Sequence, residues 1–178
     1  MINRTIFQQA PEADYEDDIW ARLCCEQAML AAEENGYGVG ALLVNEDLDL
    51  ITEAHNKVFS EGYQSQRHAE MELINQLELH FADLPRDSLT LYVSLEPCLM
   101  CTGRILLSGI RRVRYLTRDP DGGFACHLHH LPPAWKNLSS RLSVAQARVH
   151  PFWKKLARQL AEENLVRNRE KVLKAWRG

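Results

Sequence analysis

The order of its segments predicts a three-layer α/β/α sandwich around a central mixed sheet of about five strands. Three observations predict it. Two short apolar runs, 39–44 and 48–54, flank Asn45-Glu46-Asp47 as the arms of a hairpin do. Apolar runs at 89–95 and 113–117 enclose a helical stretch, the order of a right-handed crossover between parallel strands. Amphipathic segments with a period near 3.6 stand before, between and after these runs and supply both covering layers. With 178 residues, 46% of them hydrophobic, the chain can bury one good core and is short for two, so a single domain over 1–178 is expected.

Residues 1–14 lack periodicity and are expected to be an N-terminal arm. Asp17 or Asp18 can cap a helix running to about Asn35, with Ile19, Trp20, Leu23, Cys24, Ala28, Met29 and Leu30 as its apolar stripe and Asn35-Gly36 as its stop. Cys24 and Cys25 read as small buried residues, since no ligand partner stands at metal spacing from them. After the hairpin strands, a loop from His55 to Gln66 leads to a helix from about Ala69 to His80, whose apolar residues are Met71, Leu73, Ile74 and Leu77. His55 reads as a structural histidine; Asn56 suits either turn formation or contact with a nucleobase edge.

The strand 89–95 runs into Glu96-Pro97, and a helix to Ile110 follows with Leu106 and Leu107 turned inward. Asp119-Pro120-Asp121-Gly122-Gly123 is a turn. Residues 122–140 are the least periodic and are expected to form a substrate lid, with Phe124 or Trp135 either stacking on a base or packing. Cys126, His127, His129 and His130 crowd this segment and invite a second metal site, but their spacing matches no standard pattern and a lid is the favoured reading. A last strand over 142–149 and a long helix from Pro151 to about Trp176 complete the chain.

The chemistry concentrates at Arg67-His68-Ala69-Glu70 and Ser94-Leu95-Glu96-Pro97-Cys98-Leu99-Met100-Cys101. A proline opening a helix loses nothing, because its missing N–H has no intrahelical partner there anyway. Cys98 and Cys101 then fall in one helical turn, where exposed N–H groups and the helix dipole favour thiolates. Two thiolates and the His68 imidazole make three ligands of a tetrahedral Zn²⁺ and leave the fourth position to water. Glu70, held near the same helix mouth, is assigned to proton transfer rather than ligation. A Cys-x-x-Cys also has a redox reading, but a thioredoxin-like motif lacks the preceding Glu-Pro and the upstream His-x-Glu.

These two blocks resemble the signature blocks of the cytidine and deoxycytidylate deaminase superfamily, in the branch of the tRNA adenosine deaminases and the cytosine and guanine deaminases. Val39-Gly40-Ala41, Asn56 and Arg118-Asp119 resemble further positions of that branch, and the resemblance runs from about Ile19 to Asp121. It implies a cytidine deaminase-like fold, one zinc per chain, a catalytic core over 15–121 and hydrolytic removal of a nucleobase's exocyclic amine. It also implies substrate contacts from Asn56, Ala69 and backbone groups around Ser94, Leu95 and Glu96, and a homodimer joined through helices behind the zinc.

The net charge of −3 does not favour nucleic acid as the partner, although it is unevenly spread. Residues 1–34 carry eight acidic and two basic side chains, and 151–178 carry three acidic and eight basic. The basic end reads as a solvated helix face or as a grip for RNA. Tyr37-Gly38 and Pro120-Asp121-Gly122-Gly123-Phe124 depart from the RNA-acting members, and the second departure removes a phosphate contact. A free base or nucleoside is therefore the expected substrate, with wobble adenosine of tRNA as the alternative and an inactive partner subunit as a remote one. No apolar run is long enough to span a membrane, the first 18 residues lack the order of a secretory leader, and five cysteines suit a reducing compartment. A cytoplasmic location is expected.

Overall fold

The computed structural model describes residues 2–177; Met1 and Gly178, the ends of the expected domain, lie outside the described residues. Strands β1 (Gly40–Val44), β2 (Leu50–His55), β3 (Thr90–Leu95), β4 (Arg112–Thr117) and β5 (Ser143–Gln146) form one sheet in the order β2-β1-β3-β4-β5. β1 runs antiparallel to β2 and β3, whereas β3, β4 and β5 are parallel. Helices α1 (Asp18–Glu33), α2 (Ala69–His80), α3 (Leu99–Ser108), α4 (Pro133–Ser139), α5 (Pro151–Glu163) and α6 (Leu165–Arg177) complete the fold. This is the mixed five-strand sandwich expected from the sequence.

Helices cover both faces, so β1 is buried along its whole length. Leu42 and Val44 join Tyr92 and Leu116 beneath α1 and α5, against Cys24, Ala28, Met29, Trp153, Leu156 and Leu160. Ala41 and Leu43, one residue out of phase, face the other way and join Leu91, Val93 and Val113 beneath Leu73, Ile74 and Leu77 of α2 and Ile105 of α3. The sheet and α1 approach closely at Gly40, where an added Cβ would run into the Cys24 carbonyl and come within 2.5 Å of Gln27 Cβ and 2.6 Å of Ala28 N. Gly40→Ala is expected to cost about 1–3 kcal/mol through overpacking. Urea unfolding checks this as a lower midpoint at unchanged slope.

The departures from the sequence reading have local causes. β2 starts at Leu50, not Leu48, because Leu48 takes a left-handed φ of 65° in the turn. β5 ends at Gln146 because the backbone beyond it is taken over by α1: Arg148 N–H donates to Asp17 (2.7 Å) and His150 N–H to Asp18 (2.8 Å). The C-terminal helix is two helices. Asn164 caps α5 and donates its amide to the Ala32 and Gly36 carbonyls (3.0 and 3.2 Å), which fixes the break against the end of α1. The arm is tied down as well, with a 3₁₀ turn at Arg4–Gln9, Ile6 and Phe7 against the core, and an Arg4–Glu33 ion pair at 2.6 Å. Ile19 and Leu107, expected to face inward, are exposed, since the buried positions of α1 and α3 lie on other faces.

Candidate active site

α2 and α3 both begin at one point. His68 is the N-cap of α2 and Cys98 the N-cap of α3, and neither side chain caps its own helix. Both turn toward Cys101 instead: His68 Nδ1 lies 3.7 Å from Cys98 Sγ and 3.5 Å from Cys101 Sγ. Zinc bonded tetrahedrally to sulfur near 2.3 Å and nitrogen near 2.05 Å separates those atoms by about 3.6 Å. The triangle therefore has the edge lengths of a zinc ligand set, from the donor types that zinc prefers.

The electrostatics agree. A hydrogen bond with Cys101 brings the Cys98 thiol down to about 4 against the effect of burial, and His68 helps. Cys101, the partner in that bond and itself buried, is pushed well above its ordinary value by the Cys98 bond and by burial. Burial lowers the His68 imidazole, but its bond to Cys98 and the nearby Glu70 outweigh this and leave it raised. Glu70, only 4% exposed in the first turn of α2, is raised by burial and then by Cys98, which favours a carboxyl that holds a proton.

A cavity of about 420 Å³ opens over this cluster. Asn56, His68, Glu70, Leu95, Glu96 and Cys98 line its floor and sides. Asn56 Oδ1 accepts from Val58 N–H at 3.2 Å and holds the loop, and the residue lines the cavity. Ala69, Ser94 and Phe124 are not among the lining residues. Ser94 Oγ is occupied at the sheet, accepting from Gly40 N–H at 3.0 Å. The Glu96 carboxylate is turned to the 118–126 segment, accepting from Cys126 N–H (3.1 Å) and Asp119 N–H (3.4 Å) and pairing with Arg118 at 3.7 Å. Phe124 and Ala125 N–H groups donate to the Pro97 carbonyl at 2.8 and 3.3 Å, so this loop is fastened to the strand end that carries Cys98.

From the expected lid, only Gly122 reaches the cavity; Trp135 lies over Gly103 on the far side of α3. The covering residues are Ala161 of α5 and Leu165, Arg169 and Val172 of α6, with Tyr37 and Tyr63 opposite them. The spacing of Leu165, Arg169 and Val172 marks one helical face, a signal available in the sequence. Tyr63 sits in an aperiodic loop that carries none. His55 is structural, its ring held between Gln27 (3.1 Å) and Glu34 (3.2 Å).

A histidine and two cysteines at metal spacing stand beside a buried carboxylate, under a cavity at the ends of a mixed sheet, and this donor set could hold a zinc ion. The chain belongs to the cytidine and deoxycytidylate deaminase zinc-binding region family, whose model matches residues 15–117. It is thus a hydrolytic deaminase by class. It is 34% identical over 116 residues to the tRNA-specific adenosine deaminase of Bacillus subtilis, covering 65% of this chain and 71% of that one. It is also 34% identical over 102 residues to a probable cytosine deaminase of Schizosaccharomyces pombe, covering 57% and 60%. The fold matches a structure of the guanine deaminase from Nitrosomonas europaea with a TM-score of 0.61, at 21% identity over 90% of this chain and 94% of that one. Among the described residues no helix is long and apolar enough to cross a membrane.

Proposed function

We propose that this chain hydrolytically deaminates a free nucleobase or nucleoside, using one zinc held by His68, Cys98 and Cys101 and a proton carried by Glu70. The observation that carries the reading is the buried Glu70 carboxyl standing beside the His–Cys–Cys triangle in the same cavity. Bound zinc supplies a water acidic enough to ionise near neutral pH. With the metal bound, Glu70 would take a proton from that water on a carboxylate oxygen and pass it to a ring nitrogen as the new C–O bond forms; it would then take the proton of the added hydroxyl and give it to the amine, so that ammonia leaves as the C–N bond breaks and the carbonyl forms. Asn56 supplies an amide to the base edge.

The size and cover of the cavity favour a small substrate. At about 420 Å³ it lies in the range of small-molecule sites. Two of the basic residues of α6 are engaged with their own chain: Arg167 donates to Asn35 (2.8 Å) and Asn164 (2.7 Å), while Lys171 donates to the Asn35 carbonyl (3.1 Å) and lies 4.6 Å from the centre of the Phe59 ring. Those charges hold α6 over the cavity instead of facing a phosphate backbone. The second reading, a deaminase of wobble adenosine in tRNA, rests on the likeness to the Bacillus subtilis enzyme.

The same proposal treats 15–121 as the catalytic core of one domain, with α5 and α6 as the cover in place of 122–140, and takes a cytoplasmic location from the free cysteines. It also includes a homodimer. Leu99 and Leu107 are 58% and 62% exposed on α3, and with Met100, Leu131 and Trp135 they line an apolar groove of a kind that self-association covers.

Ammonia release by zinc-loaded protein from adenine, guanine, cytosine, their nucleosides and an anticodon stem-loop RNA tests the substrate. Turnover of a base or nucleoside that changes little between about 50 and 200 mM salt is expected. Turnover of the RNA alone, falling steeply over that range, would replace this reading with the tRNA one.

A further inference from the structure

The histidines after Cys126 occupy none of the machinery above, and the fold draws them together. His127 N–H donates to the Phe124 carbonyl at 2.8 Å, and the His127 carbonyl accepts from His130 N–H at 3.0 Å. The 3₁₀ turn Leu128–His130 that results stacks residues three apart above one another, which puts His127 and His130 on one side. The His129 and His130 ring centres are 3.9 Å apart, and His127 lies 6.1 and 6.0 Å from them. One ring nitrogen from each residue falls within 4.8 Å of the other two.

We propose that His127, His129 and His130 form a second metal site that takes a borderline divalent cation such as Zn²⁺, Ni²⁺ or Cu²⁺. Imidazole nitrogen is the donor that these ions share, and three neutral rings leave open positions for water. Tetrahedral zinc needs its nitrogens about 3.4 Å apart. All three rings are exposed, and among the described residues none has a hydrogen-bond or ion-pair partner to give up, so side-chain rotation can close the remaining gap. The backbone beneath them is fixed. Ala125 and Leu131 on either side are buried, and the segment is fastened to Pro97 and Glu96. Cys126 stands outside the set, with its sulfur 3.3 Å from the Tyr115 hydroxyl.

The test uses the full chain without a polyhistidine tag, loaded first with one zinc and then titrated with further Zn²⁺, with metal counted after desalting and by calorimetry. Two zinc ions per chain are expected for the wild type and one for the triple variant His127→Ala, His129→Ala, His130→Ala, whose exposed positions leave its thermal midpoint unchanged. A parallel titration of the metal-free chain with Co²⁺ separates the sites. The Cys98–Cys101 site gives a thiolate charge-transfer band in the near ultraviolet, and the histidine site adds visible bands without it. A wild type that stops at one ion, or a triple variant that still takes two, would overturn the proposal, and the thiolate band would still report the first site.

Discussion

Replacement of Glu70 by glutamine is expected to lower kcat by about 10²–10⁴-fold, the usual worth of a positioned general acid and base, while zinc stays stoichiometric. The side chain is 4% exposed and its shape is preserved, so the fold should survive. Burial and the neighbouring Cys98 already raise the carboxyl and favour the form that carries a proton. Glutamine keeps the volume and removes the exchangeable proton. Single-turnover ammonia release, with metal content measured on the same samples, checks this. A variant that keeps its zinc and its full rate would remove Glu70 from the mechanism and leave the metal site intact.

What the sequence disclosed was whatever depends on local spacing. His68, Glu70, Cys98 and Cys101 are read from two short stretches, because helix starts and a three-residue interval fix where such side chains converge. The α1, β1, β3 and β4 segments are legible because their period is set by burial against a single core. What stayed hidden was set by contacts distant in the chain. Asn164 breaks the last helix by bonding to the Ala32 carbonyl, and Asp17 and Asp18 end β5 by taking the backbone of Arg148 and His150. Neither partner has a sequence signal. The place of Leu165, Arg169 and Val172 at the cavity was hidden for the same reason, since Arg167 and Lys171 dock α6 on Asn35 at the far end of α1. Glu96 shows how a motif residue can serve the scaffold: its carboxylate anchors the 118–126 segment while the residue lines the cavity.

Cys98→Ala separates the metal's contribution to stability from that of the helix end. Substitution at an N-cap ordinarily loses a capping bond, but Cys98 makes no such bond through its side chain, so its removal spares the helix cap and breaks the contacts of the triangle. Binding to the folded state stabilises by RT ln(1 + [L]/Kd), about 4 kcal/mol when free zinc exceeds Kd a thousandfold. The variant is expected to lose the zinc of the His68–Cys98–Cys101 triangle and its turnover, and to unfold at correspondingly lower denaturant. A chelator added to the wild type should produce the same shift, and added to Cys98→Ala it should produce none, because the triangle is already broken. If the variant, made in the His127→Ala, His129→Ala, His130→Ala background so that only the triangle can hold metal, kept one zinc and an unchanged unfolding midpoint, the ligand set drawn from the 3.7 and 3.5 Å His68–cysteine distances would be wrong. If it lost zinc with no change in stability, the fold would be complete without the ion, and the zinc would act in the chemistry alone.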